Sequence, residues 1–111
     1  MTTNKSDLPA GWWLHNLDEV DREIARLATI CAIRILDRGV VERILHNDNS
    51  VCGTSNPRAF AKLHDMLMFH FAVRQKMADA VGQAETAEIE RYVIERLKKA
   101  FPDAGTDWPP V

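Results

Sequence analysis

The chain has two cysteines, one tyrosine and five glycines in 111 residues. Each scarcity excludes something. Cys31 and Cys52 are too few for the disulfide framework of a small secreted domain. No apolar run approaches the ~20 residues that a membrane-spanning helix needs. The opening MTTNKSDLP lacks the apolar core of a signal peptide. A cytoplasmic protein with no membrane partner is therefore expected. No basic run stands out and the net charge is −2, so nucleic acid is not an expected partner. With 46% hydrophobic and 27% charged residues, the composition is globular rather than disordered. The length suits one domain, residues 1–111. No strand-like alternation is present, and there is no internal repeat.

What is present is helical periodicity, clearest between Asn56 and Gly82. Asn56 is a good N-cap, Pro57 suits the first helical position, and Gly82 suits the residue after the last turn. Between them the spacing predicts one helix of about 35 Å. Phe60, Leu63, Leu67, Phe71, Met77, Ala78 and Val81 share one broad face. Arg58, Lys62, Asp65, Lys76 and Asp79 share the other. Its middle, Met66 to Val73, is apolar nearly all round, and such a helix must be covered on more than one side.

The first helix is expected from Asn16, with Glu19 completing a capping box, to Arg38, with Gly39 ending it. Leu17, Val20, Ile24, Leu27, Cys31 and Ile35 form its stripe. A short helix is expected over Val40–His46 and a loop over Asn47–Ser55. A last helix is expected over Glu85–Phe101, with Ile89, Val93, Leu97 and Ala100 inward and Pro102 as its stop. Residues 1–15 and 102–111 read as irregular tails carrying Trp12, Trp13 and Trp108. The tryptophans are expected to pack on the protein's own core, with a partner-binding anchor as the alternative. The fold class is thus all-α: three long helices and one short one in an antiparallel bundle.

Such a bundle leaves apolar surface over. Met66, Phe69, Ala72 and Val73 on the central helix, with Ile30 and Ile33 on the first, are expected to meet across a symmetric homodimer. The polar residues inside the stripes are the second point of interest. Arg34 and Arg74, with His70 one turn from Arg74, form a candidate anion-binding or catalytic set. The simpler reading gives each a carboxylate on a neighbouring helix, since a buried unpaired charge is costly.

Metal chemistry has less support. Glu42 and His46 share a face, but His64 and His70 point about 120° apart on their helix. Metal-binding motifs are absent, so neither a metal nor another cofactor is expected. The stretch LDEVDREIARL resembles the opening helix of the helical chorismate mutases. Those enzymes carry an Arg where this chain has Cys31, and their later Lys and Arg-Glu pair find no counterpart, so no residue is carried over. His64-Asp65 resembles the His-Asp doublet of the helical metal-dependent phosphohydrolases, but the following MLMF departs from that pattern. The expected function is therefore a small oligomeric interaction or regulatory module, with a protein partner beside the homodimer. The anion-binding or catalytic bundle and a metal-binding helical protein are the alternatives. Catalysis has the weaker claim, because no catalytic arrangement can be assigned.

Overall fold

The computed structural model describes residues 4–35 and 38–102. Its described residues form four α-helices, α1 (Asn4–Ile30), α2 (Arg38–Leu45), α3 (Pro57–Val81) and α4 (Gln83–Ala100), with a 3-10 turn at Asn49–Val51 between α2 and α3. No strand occurs among them. The fold is all-α, as expected. α1 and α3 share the most extensive contact, α4 packs on both, and α2 packs on α3.

α3 follows the sequence signals closely. Asn56 Oδ1 accepts the N–H of Ala59 at 3.1 Å, and Pro57 opens the helix. Phe60, Leu63, Leu67 and Met77 are buried on its inner face. Each such side chain contributes roughly 1.5–3 kcal/mol on leaving water. Gly82 ends α3 and begins α4 at once. Its N–H bonds Ala78 O, and its own carbonyl accepts both the N–H and the hydroxyl of Thr86. A single residue does this because its backbone sits at φ 91, ψ 163, a region essentially closed to side chains.

α1 departs from expectation at both ends. It begins at Asn4 and runs through residues 4–15, read above as irregular. Pro9, sixth in the helix, has no N–H to give Lys5 O, yet the helix continues through it. The inward stripe extends back to Trp13 and Leu14, which pack against the core. Asn16 is not a cap: its amide donates to Trp12 O, one turn back in the same helix. Trp12 meets Trp13 edge-on but stays half exposed. Trp108, Leu36 and the tail from residue 103 lie outside the described residues.

The helix stops at Ile30 rather than Arg38. Ile33 N–H reaches Ala28 O at 2.8 Å and Ala32 N–H reaches Thr29 O at 3.1 Å. These two bonds are a Schellman motif, with Ala32 at φ 55 in the position usually given to glycine. The expectation had placed such a turn at Gly39. The loop before α3 completes the end. Thr54 Oγ1 donates to Ile30 O, and the N–H groups of Gly53 and Thr54 donate to Cys31 O. The carbonyls left over at the end of a helix are thus met from a distant part of the chain. α2 ends likewise, Asn47 N–H bonding Ile44 O and Asp48 N–H bonding Arg43 O. There Asn47 takes the positive φ, which Asn tolerates.

Two substitutions test this backbone reading. Gly82→Ala would meet no atom within 4 Å, so its cost is conformational alone and is expected at about 1–3 kcal/mol. Ala32→Gly is expected to raise stability by about 0.5–1 kcal/mol, because it relieves a left-handed alanine. Urea unfolding midpoints at equal slope measure both.

Candidate functional site

Three features stand out from this frame: a polar strip inside the bundle, an apolar strip outside it, and a cleft at one end. The inner strip begins with Asp21 on α1. It lies among Leu17, Val20 and Ile24 and is buried with them. His70 on α3 is also fully buried, and its Nδ1 stands 2.6 Å from Asp21 Oδ1. A carboxylate accepts, so the imidazole proton sits on Nδ1. His70 Nε2 is buried with no hydrogen-bond partner among the described residues.

One turn along α3, Arg74 Nε donates to Glu90 on α4. Glu90 is buried, whereas Arg74 keeps part of its side chain in water. His70 therefore joins α3 to α1, and Arg74 joins α3 to α4. Arg34 is exposed in the segment after α1. Of the expected anion-binding set, two members already hold carboxylates on different helices. Neither of the two surface clefts described below is lined by Arg34, Arg74 or His70.

The outer strip lies along the middle of α3. Met68 and Phe69 are 56% and 54% exposed, and Ala72 beside them is exposed too. Met66 is partly covered by the core. Val73 and Ile33, expected at an interface, are buried within the chain itself, at 9% and 2% exposure. They turn inward because Val73 lies on the flank of the His70 face and Ile33 closes the end of α1. Ile30 remains exposed. Met68 was not singled out from the sequence. Its position next to Phe69, facing away from Leu63 and Leu67, is the signal that identifies it.

The larger cleft, about 420 Å³, lies where the loop before α3 meets that helix. Amide and hydroxyl side chains line it, among them Asn47, Asn49, Ser55 and Asn56, with Cys52 and Phe60. It carries no lysine, arginine, aspartate or glutamate. Between the lining residues Asn47 and Asn49, but not itself part of the lining, Asp48 accepts both the N–H and the hydroxyl of Ser50. These bonds hold its carboxyl below the usual range, the hydroxyl bond most strongly. A smaller cleft of about 270 Å³ lies between α2 and α3, lined by Arg38, Val41, Glu42, Leu45 and Phe71. His46 Nδ1 is 2.7 Å from the carbonyl of Glu42, and His64 pairs with Asp65. No group of three His, Cys, Asp or Glu side chains gathers as a metal site among the described residues. No helix among them is long and apolar enough to cross a membrane.

Comparison with protein-family models, with curated proteins and with solved structures finds no match to this chain.

The Asp21–His70 bond is expected to be structural. Asp21→Leu and His70→Leu are each expected to cost about 1–3 kcal/mol or more, because each removes one side of a buried polar contact. The double replacement is expected to cost less than the sum of the two, since both single variants lose the same contact. Urea titrations of the three variants measure the difference.

Proposed function

We propose that this protein is a non-catalytic helical interaction module that pairs with a second copy of itself through the middle of α3, in a cytoplasmic setting. The observation that carries the reading is the exposure of Met68 and Phe69, both more than half open to water at the centre of α3. Most other large apolar side chains of α3 are buried or partly buried. Contiguous apolar surface of this kind, rimmed here by Asp65, Gln75 and Lys76, is characteristic of association sites. A straight helix face is self-complementary about a two-fold axis, which makes the symmetric dimer the economical assembly. The inner polar residues support a non-catalytic role: His70 and Arg74 are engaged by Asp21 and Glu90.

The test is sedimentation equilibrium over a dilution series, on the parent chain and on Phe69→Glu. The parent is expected to dimerise. The substitution removes two apolar contacts per symmetric dimer and is expected to weaken association about 100-fold or more, with helicity by circular dichroism unchanged. A parent that stays monomeric at every concentration, or a Phe69→Glu variant that dimerises as tightly as the parent, contradicts the reading.

A further inference from the structure

The end of α1 and the loop before α3 meet at two sulfurs. Cys31 is fully buried beyond the last turn of α1, and Cys52 is half-buried at the edge of the 420 Å³ cleft. Gly53 N–H donates to Cys31 O over 3.0 Å, so the two cysteine backbones are one hydrogen bond apart. The two side chains lie close enough to act on each other's ionisation, Cys52 raising Cys31 and Cys31 lowering Cys52. The approach is enforced sterically. A Cβ on Gly53 would meet Ala32 Cβ and Ala32 O at 2.8 Å, so only glycine lets the loop lie this close. A disulfide needs α-carbons about 4.4–6.8 Å apart and side chains aimed at one another. The bond from Gly53 N–H to Cys31 O and the close approach of Gly53 to Ala32 bring the two cysteines side by side.

We infer that Cys31 and Cys52 form a dithiol modification site that reacts with a small disulfide, such as glutathione disulfide, and closes into an intrachain Cys31–Cys52 bond. Cys52 reacts first because it borders the cleft. It gives its proton to water, and its sulfur attacks one sulfur of the small disulfide. That S–S bond breaks, and one glutathione leaves as a thiolate that takes up a proton. Cys31 then loses its proton to water, attacks Cys52 Sγ and expels the second glutathione. The protein dithiol is oxidised and one glutathione disulfide is reduced to two thiols. Burial raises both thiols above the ordinary range. Cys31 is held up further by the negative charge of a neighbouring Cys52 thiolate, and that charge is gone once Cys52 carries the mixed disulfide. The expected behaviour is a slow reaction whose two steps both quicken as pH rises. The bond encloses residues 32–51, with α2 and the 3-10 turn, in a covalent loop fastened to the end of α1.

The test is to incubate the full chain with glutathione disulfide and read the intact mass, the free-thiol titre and the melting temperature. The expected product loses two hydrogens with no glutathione attached and no thiol left. Non-reducing peptide mapping is expected to join Cys31 to Cys52, and the melting temperature to rise by on the order of 10 °C. Cys31→Ser is expected to keep a lasting glutathione adduct on Cys52. Persistent free thiols, two separate adducts on the parent chain, or a disulfide found only between chains would overturn the inference. The parent chain alone decides it should Cys31→Ser not fold.

Discussion

The contact between Asp21 and His70 fixes how α1 and α3 lie against each other. It is a directional bond in a layer otherwise held by non-directional apolar packing, with the two heavy atoms 2.6 Å apart and both side chains shut away from water. Apolar faces tolerate sliding by a turn at modest cost, whereas a buried polar pair tolerates almost none. With His70 held by α1, the neighbouring turn of α3 presents Arg74 to Glu90 on α4. Two polar links, one turn apart on α3, thus set the register of three helices. They also set which side of α3 faces out, and so leave Met68, Phe69 and Ala72 on the surface.

A second constraint acts at the far end of α1. Its last carbonyls are bonded by Ala32, Ile33, Gly53 and Thr54. Helix, loop and the start of α3 are therefore fastened together around Cys31. This accounts for the placement of the cleft and of the two thiols at one corner of the molecule. It also ties the turn chemistry of Ala32 to that of Gly53, since each occupies space the other leaves.

The parts of this arrangement that depend on neighbouring residues were legible in the sequence. Asn56, Pro57 and Gly82 mark the ends of α3 because caps and backbone freedom are local properties. The inward stripe of α3 follows from spacing alone, and so do Ile89, Val93 and Leu97 of α4, whereas Ala100, expected inward with them, is exposed because it lies in the last turn. The end of α1 was not legible, because its left-handed residue is an alanine and its cap comes from Gly53 and Thr54, far along the chain. The start was missed because Pro9 and Gly11 read as breakers, whereas α1 runs through both. In the inner strip, His70 and Arg74 stood out as polar residues on an apolar face, but their partners did not. Asp21 and Glu90 gave the same kind of signal, each beside inward positions of its own helix, and pairing the four required the third dimension. The cysteine pair belongs to that class too: nothing local relates Cys31 to Cys52.

The most direct measurement of the central claim is the imidazole proton of His70 by nitrogen-resolved NMR of the folded protein. A hydrogen bond from Nδ1 to a buried carboxylate predicts a single Nδ1–H resonance, far downfield and slow to exchange with water, that is lost in Asp21→Leu. A His70 ring that averages between its two tautomers, or whose proton exchanges as fast as that of His15 on the surface, would contradict the account and remove the link that sets α1 against α3.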